Sequence, residues 1–323
     1  MKKTLKILLG LIITGLLIRY AAAVEEYIRV LADLSWLVLI FAFAIGTLDR
    51  VVMAWKWNKL LGIVCRMLPL IRSVQIYCTS QLYGLFLPAT IGADAIRVTL
   101  SMGEGRKAPS VTASIVLERA LGLLATLCAS LAALVFSGFS DIDRLAFNST
   151  IVAILTLLSI ISVLLTFSMS DNAYKLVNRI IFERYPRNKL ISIVHKVHDS
   201  YCQFRGSNKT LVLFFLSTIF EIMSGTLFVF IIIRALGETP NFFAVLVAFN
   251  LASLLGRIPI SFSGLGIFEA GFVYFLSLFG VSPEVSVLAA LLSRILQVII
   301  WLPWWLSYSV ARPLRVIEFE ENV

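Results

Sequence analysis

The sequence predicts an all-α polytopic membrane protein, and three observations support this prediction. Of its 323 residues, 59% are hydrophobic and 15% are charged, whereas soluble domains carry about 25% charge. The apolar residues form runs of roughly 20, which is the length an α-helix needs to cross a bilayer core. These runs lack the sustained period-two alternation of an outer-membrane barrel. We therefore expect a single integral membrane domain over residues 1–323, with about six full transmembrane helices and two interrupted hairpins.

The uninterrupted apolar segments give the candidate membrane spans. They are, in order, residues 5–22, 36–57, 113–137, 149–168, 210–234 and 284–308. The first follows Lys2, Lys3 and Lys6, and the alanines at 21–23 resemble a signal-peptidase site. We expect this segment to be an uncleaved helix, with cleavage as the alternative.

Two further apolar regions, residues 73–112 and 242–280, are interrupted by residues that break helices. The breakers are Pro88 and Gly92 in the first region and Pro259, Gly264 and Gly266 in the second. Neither region therefore predicts one continuous transmembrane helix.

Loop charges orient the chain. Basic residues concentrate in the segments that we assign to the cytoplasm, which are the N-terminus, 56–72, 96–107 and the amphipathic segment 170–209. Both flanks of the first interrupted region are then cytoplasmic, so we expect a re-entrant pair of half-helices there. Residues 138–144 face outward, and residues 242–280 begin and end outside by the same reasoning. We expect a multi-pass protein of the inner (plasma) membrane with a cytoplasmic N-terminus.

The two interrupted regions share a pattern. In each, an acidic residue follows the break, then a Gly, a Pro and a long apolar helix that contains an Arg. Gly105 precedes Arg119 by 14 residues, and Gly280 precedes Arg294 by 14. Because the charge assignment gives the two units opposite orientations, we predict an inverted repeat, which is typical of transporters with discontinuous helices.

The first break, in "LFLPATIGADAIRV", places opposite charges inside an apolar chain. A backbone break at membrane depth is tolerated only where it is buried in protein or lines a wet cavity. The N-terminus of a half-helix presents free N–H groups and a positive dipole end to an anion. Asp94 and Arg97 lie three residues apart on one helical face, where they could pair or hold a lipid headgroup.

Ionisable residues within apolar spans are candidates for function because each costs about 2.5–3.5 kcal/mol to insert. The candidates for substrate binding are Asp94, Arg97, Glu118, Arg119, Arg257, Glu269 and Arg294. Guanidinium groups bind phosphate through two parallel hydrogen bonds, and the carboxylates could balance them or carry protons. The alternative is that such residues only pair and hold helices together, which is our interpretation of Asp49 and Arg50.

The sequence gives no indication of a cofactor, a metal site or a catalytic constellation. The four cysteines are scattered singly, and we interpret His195 and His198 as solvated residues of a polar amphipathic stretch. We find no nucleotide-binding loop and no hydrolase motif. The net charge of +9 is explained by cytoplasmic loops that face anionic lipid, so we do not expect nucleic acid as a partner.

Several of these stretches resemble the lysylphosphatidylglycerol synthase transmembrane-region family, also called the flippase-like domain family. They are "WKWNKLLG", "LYGLFLPATIGADAIRV", "SIVLERALGLL" and "FSGLGIFEAGFVYFLSLFGVSPEVSVLAALLSRI". The resemblance spans roughly residues 35–310. Glu118 and Arg119 match the usual acid–Arg pair of the family, whereas Ala93 stands where the family usually has the second Gly of Gly-Gly-Asp.

The resemblance implies lipid translocation. In the bacterial multiple peptide resistance factor, a domain of this type flips aminoacylated phosphatidylglycerol, which a fused soluble domain makes. No such domain follows in this sequence, so we expect a stand-alone translocase rather than lysyl transfer. The expected substrate is an anionic or zwitterionic phospholipid, or a polyprenyl-phosphate-linked sugar. The alternative is a non-transporting subunit of a glycosyltransferase or lipid synthase, and the oligomeric state stays open.

Overall fold

The structure is a computed structural model that describes residues 35–87, 89–136, 144–170, 175–176, 178–182, 189–258 and 264–311. The regular secondary structure in these ranges is helical, with no strand, which confirms the all-α prediction. The candidate span 5–22, Pro88 and Pro259 lie outside the described residues.

The described residues contain a succession of α-helices. They are α1 (Trp36–Val64), α2 (Leu70–Gly84), α3 (Ala89–Gly103), α4 (Ala108–Phe136), α5 (Arg144–Ser168), α6 (Lys189–Cys202), α7 (Asn208–Ala235), α8 (Phe242–Gly256), α9 (Ile267–Ser277) and α10 (Pro283–Ala311), with a π-helical turn at Asn178–Phe182.

Five of these helices are long and apolar enough to cross a membrane, namely α1, α4, α5, α7 and α10. They coincide with the predicted spans 36–57, 113–137, 149–168, 210–234 and 284–308. Helix α1 begins where the Ser35 side chain accepts a hydrogen bond from the Leu37 N–H, as an N-cap residue does. Helix α5 exposes most of its apolar side chains, as expected for a helix that faces lipid.

The first interrupted region folds as a helical hairpin of α2 and α3. An ion pair of 3.1 Å joins Arg72, near the start of α2, to Glu104, just after the end of α3. At the other end of the hairpin, Gly84 lies against Ala93. The two helices are therefore antiparallel, and the chain reverses between Gly84 and Ala89.

The second interrupted region, α8 and α9, forms a similar hairpin. The last residue of α8, Gly256, lies against Phe268 in the first turn of α9, and Ala252 lies against Gly271 one turn further. The four hairpin helices have 11 to 15 residues. At 1.5 Å per residue they are roughly 16–23 Å long, which is less than the ~30 Å core of a bilayer.

The long helices bring the two hairpins together. Helices α1 and α7 pack side by side and run antiparallel, because Asp49 contacts Ser224 whereas Lys56, further along α1, contacts the earlier Glu221. Hairpin helix α2 packs against α10, and α8 packs against α4. Each hairpin therefore lies against a long helix from the other half of the chain.

The amphipathic segment includes α6, which packs on α4. Phe204, just after α6, is fully buried in a cluster with Leu117 and Phe214. The segment is thus attached to the helical bundle, while Ile193 and Val194 remain exposed.

Candidate functional site

A polar cavity of about 320 Å³ lies between the two hairpins and the long helices. Eight of the residues that line it carry charge: Asp49, Arg50, Lys56, Glu118, Arg119, Glu221, Arg257 and Arg294. Four of the predicted binding residues, Glu118, Arg119, Arg257 and Arg294, are among them. The other three, Asp94, Arg97 and Glu269, are joined by ion pairs to residues of the cavity wall.

Asp94 holds Arg119 in a fixed orientation at the first hairpin. The Nε and Nη2 atoms of Arg119 donate to the two carboxylate oxygens of Asp94, over 3.2 and 2.7 Å. Such a paired arrangement fixes the plane of the guanidinium as well as its charge. Asp94 also accepts a 3.0 Å hydrogen bond from Arg97, one turn later on α3.

Arg97 is buried completely, with an exposed fraction of 0%. Its guanidinium contacts the rings of both Trp57 and Tyr77, 5.0 and 4.7 Å from their centroids, which are distances that favour cation–π attraction. It also forms a 2.8 Å ion pair with Glu118, and the Tyr77 hydroxyl donates to that carboxylate over 3.3 Å. Arg97 thus neutralises two carboxylates from behind the cavity wall.

Glu269 holds Arg294 at the second hairpin in a comparable way. Arg294 Nε donates to Glu269 Oε1 over 2.8 Å, and Nη2 lies 2.7 Å from the same oxygen. The other oxygen accepts a 2.6 Å hydrogen bond from the N–H of Gly266 at the start of α9. A carboxylate in the first turn satisfies a free N–H and favours the positive end of the helix dipole.

The two hairpins place their acid–Arg pairs at matching positions. Arg119 follows Asp94 by 25 residues, and Arg294 follows Glu269 by 25. Gly105 and Gly280, in the turns before α4 and α10, both have positive φ angles, of 75° and 78°. The spacing noted in the sequence therefore corresponds to a shared local geometry.

The predicted break residues differ in their surroundings. Gly92 lies in the first turn of α3 rather than between the helices, and a Cβ there would come within 2.1 Å of the Leu87 side chain. Gly264 and Gly266 have φ angles of 72° and 82° just before α9, in the left-handed region that favours glycine. A Cβ on Gly264 would also lie 2.7 Å from the Gly256 carbonyl oxygen.

The model of one protein family, described as the lysylphosphatidylglycerol synthase TM region, matches residues 7–304. The chain belongs to this family. Membership agrees with the long apolar helices and shows a multi-pass membrane protein from a family associated with lipid metabolism. No curated protein matches the chain.

This member of the lysylphosphatidylglycerol synthase TM-region family has further charged residues in its cavity that the sequence reasoning did not assign to a binding site. Lys56 was interpreted as part of a cytoplasmic loop, but it is buried in α1 and paired with Glu221 of α7. Asp49 pairs with Arg50, as we expected, and both line the cavity. A signal for the site, though not for the pairing, was present in the sequence, because Asp49 and Glu221 are charged residues inside the predicted spans 36–57 and 210–234.

Arg257 differs from the other cavity cations. It follows α8 directly, and its side chain has no hydrogen bond or ion pair with any described residue. The cations in or behind the wall are Arg50, Lys56, Arg97, Arg119, Arg257 and Arg294, and the carboxylates are Asp49, Asp94, Glu118, Glu221 and Glu269. Among the described residues of the cavity and its wall, six cations thus face five carboxylates, an excess of one positive charge.

Proposed function

We propose that this protein translocates lipid, taking the headgroup of an anionic or zwitterionic phospholipid or of a polyprenyl-phosphate-linked lipid into the cavity between the hairpins. The observation that carries the proposal is the charge pattern of the cavity. Arg119 and Arg294 are held by carboxylates, and Arg257 has no hydrogen-bond or ion-pair partner in the part of the chain that the structure describes. An uncompensated charge inside a membrane protein is expensive, so a bound anion would stabilise it.

The size of the cavity favours a headgroup as its occupant. Pockets for small ligands have volumes of about 300–1,000 Å³, and this cavity of about 320 Å³ is at the low end of that range. It has no room for two acyl chains in addition. In the proposal the tails stay in the surrounding lipid while the headgroup crosses through protein.

The broken hairpins support transport in preference to simple binding. Each hairpin helix is too short to cross a bilayer, so we infer that both hairpins are re-entrant and meet near the midplane. The antiparallel packing of α1 on α7 favours an inverted relation between the two halves of the chain. Transporters built in this way alternate access by rocking one unit against the other around a fixed site.

The rest of the proposal follows from this activity. The protein acts as a transporter and not as an enzyme, and it resides in the inner membrane with its N-terminus in the cytoplasm. Its substrate supplier would be a lipid-modifying enzyme or a glycosyltransferase. If the pure protein moves no lipid but binds such an enzyme, an accessory role replaces the transport role.

Proteoliposomes test the proposal. Short-chain fluorescent lipids are placed in both leaflets, and the fraction that a membrane-impermeant quencher bleaches is followed with time. We expect faster equilibration of anionic lipid with the wild type than with empty vesicles. Arg257→Gln should slow it about tenfold or more, because a charge-assisted hydrogen bond contributes about 1.5–3 kcal/mol.

The matched control is Arg234→Gln, which removes an exposed arginine from the last turn of α7. This variant should transport as the wild type does. Equal rates with and without protein for every lipid offered would refute the proposal. Equal slowing by both substitutions would refute the role of Arg257.

A further inference from the structure

One part of the cavity wall is polar but uncharged. Asn250, Ser293 and Trp301 line the cavity and have exposed fractions of 4, 2 and 7%. The Asn250 Nδ2, Ser293 Oγ and Trp301 Nε1 atoms have no hydrogen-bond partner among the described residues. Buried polar atoms are nearly always satisfied, so three of them around one cavity require an explanation.

Their positions along the helices make them a set. Ser293 and Trp301 lie eight residues apart on α10, with Gln297 midway between them, so all three project from one face of the helix. Asn250 enters the cavity from α8, and Arg257 follows it by seven residues, or two turns, on the same face. The uncharged donors therefore face the same space as Arg257, the cation that has no partner among the described residues.

The chemistry of these groups favours a neutral ligand. An amide N–H, a hydroxyl and an indole N–H can donate to hydroxyl oxygens, and the Ser hydroxyl and the Gln amide can also accept from them. A ligand that leaves a buried donor without a hydrogen-bond partner binds much more weakly than one that satisfies it. Such donors therefore discriminate between ligands that carry hydroxyls and ligands that do not. A ligand that carries hydroxyls would satisfy them, and one that ends in methyl or methylene groups would not.

The net charge of the site limits the rest of the ligand. One excess positive charge is balanced by a single phosphodiester. A diphosphate would bring negative charge in excess, and an ammonium group would cancel the charge of the phosphodiester and leave the excess positive charge of the cavity unbalanced. The remainder of the headgroup should therefore carry no charge.

We propose that the cavity selects lipids with one phosphodiester and an uncharged, hydroxyl-bearing headgroup, and that Asn250, Ser293 and Trp301 hold the hydroxyls. The inference rests on the proposed function and narrows its substrate class. A phosphoglycerol headgroup and a sugar on a polyprenyl phosphate share this chemistry. Zwitterionic headgroups, which the sequence left open, are disfavoured.

The test compares three short-chain lipids that differ only in the headgroup, by equilibrium binding to the purified full-length protein in a neutral detergent. Phosphatidylglycerol has the charge and the hydroxyls, phosphatidylethanol has the charge without hydroxyls, and phosphatidylethanolamine adds an ammonium. We expect phosphatidylglycerol to bind about tenfold more tightly than either of the others, since two or more hydrogen bonds distinguish it.

Single substitutions test which residues cause the preference for phosphatidylglycerol. Ser293→Ala and Asn250→Ala should each weaken phosphatidylglycerol binding about threefold to tenfold, the size of one neutral hydrogen bond, and leave phosphatidylethanol binding unchanged. Ser159→Ala, on the exposed face of α5, is the matched control and should change neither. A parallel titration with a short isoprenyl phosphate that carries a hexose shows which source of hydroxyls is preferred.

The outcomes separate the two proposals. Selective binding with the expected variant effects supports the inference, even if proteoliposomes show no transport and the translocase proposal fails. Equal affinity for phosphatidylglycerol and phosphatidylethanol overturns the inference, even if both lipids are transported. Tight binding of phosphatidylethanolamine, or equal weakening of every lipid by Ser293→Ala, overturns it as well.

Discussion

Arg97 and Arg257 belong to the same site, but one is buried in the cavity wall and paired, whereas the other lines the cavity. Arg97 is enclosed by two aromatic rings and two carboxylates and has no exposed surface. Arg257 lines the cavity and has no partner among the described residues. The first neutralises Asp94 and Glu118, so its role is to position the wall, whereas the second is available to a ligand.

Arg97→Gln should destabilise the protein severely. It would leave Glu118 buried without its cation and remove one of the two partners of Asp94. Breaking a buried ion pair from one side costs about 3–5 kcal/mol. Thermal unfolding in detergent measures the loss, with Arg257→Gln as the comparison. Similar stability of the two variants would show that the buried network does not support the fold.

Arg119→Lys tests whether the planar shape of the guanidinium matters. Lysine keeps the charge that Asp94 needs, but it lacks the two parallel N–H groups that fix the side chain on Asp94. It also lacks the further N–H groups that a guanidinium held in this way can direct at phosphate oxygens. We expect the melting temperature to stay near that of the wild type and transport of anionic lipid to fall about tenfold. Wild-type rates for every lipid offered would rule out a phosphate grip by Arg119.

At the scale of single residues, the sequence identified most of the charged residues that lie inside apolar spans, but it did not predict which residues they contact. Glu118, Arg119, Arg257 and Arg294 were recognised because a charge in an apolar span is costly. Lys56 was not, since it follows an apolar run and resembles the start of a basic loop. Its partner Glu221 lies on a distant helix, and a pairing of that kind cannot be inferred from one sequence.

At the scale of the elements, the interruptions were predicted from proline and glycine, and the structure has two short helices in each of these regions. That the hairpins are re-entrant, which loop charge predicted, stays a prediction. The residues at which the first hairpin turns were not predicted correctly. The first hairpin reverses between Gly84 and Ala89, so Gly92 falls inside α3. Glycine breaks a helix only where its backbone leaves the helical region, and here it instead admits the Leu87 side chain.

Gly264→Ala should destabilise the second hairpin. Residue 264 has a φ angle of 72°, and an added Cβ would lie 2.7 Å from the Gly256 carbonyl oxygen. The left-handed conformation alone costs an alanine about 1–2 kcal/mol. Gly103→Ala is the control, because that position is helical and a Cβ there meets nothing within 4 Å. If both variants melt like the wild type, the tight turn contributes nothing to stability.

On the scale of the whole molecule, the succession of a long helix, a hairpin and a second long helix occurs twice within the described residues. Helices α1 to α4 have 29, 15, 15 and 29 residues, and α7 to α10 have 28, 15, 11 and 29. Hydropathy predicts such lengths well because the bilayer fixes them. It does not predict that each hairpin packs on a long helix of the other half, since that depends on side chains far apart in sequence.

The proposed inverted arrangement makes a prediction about topology. If the halves enter the membrane from opposite faces, residues 138–144 are external and α6 is cytoplasmic. Single cysteines at Ser140 and Ser192, in a background without the four native cysteines, should react with an impermeant reagent from opposite sides of intact cells and inverted vesicles. Ser192 is exposed on α6, which makes it a suitable site for labelling.

The labelling result tests the transport mechanism, because only one candidate span of the described residues lies between Ser140 and Ser192. Between these two sites the chain contains α5, whose length and hydropathy allow one crossing. Labelling of both sites from the same side would mean that α5 does not cross. The loop charges would then no longer place the hairpins on opposite faces, and a rocking mechanism about a shared central site would lose its geometric basis.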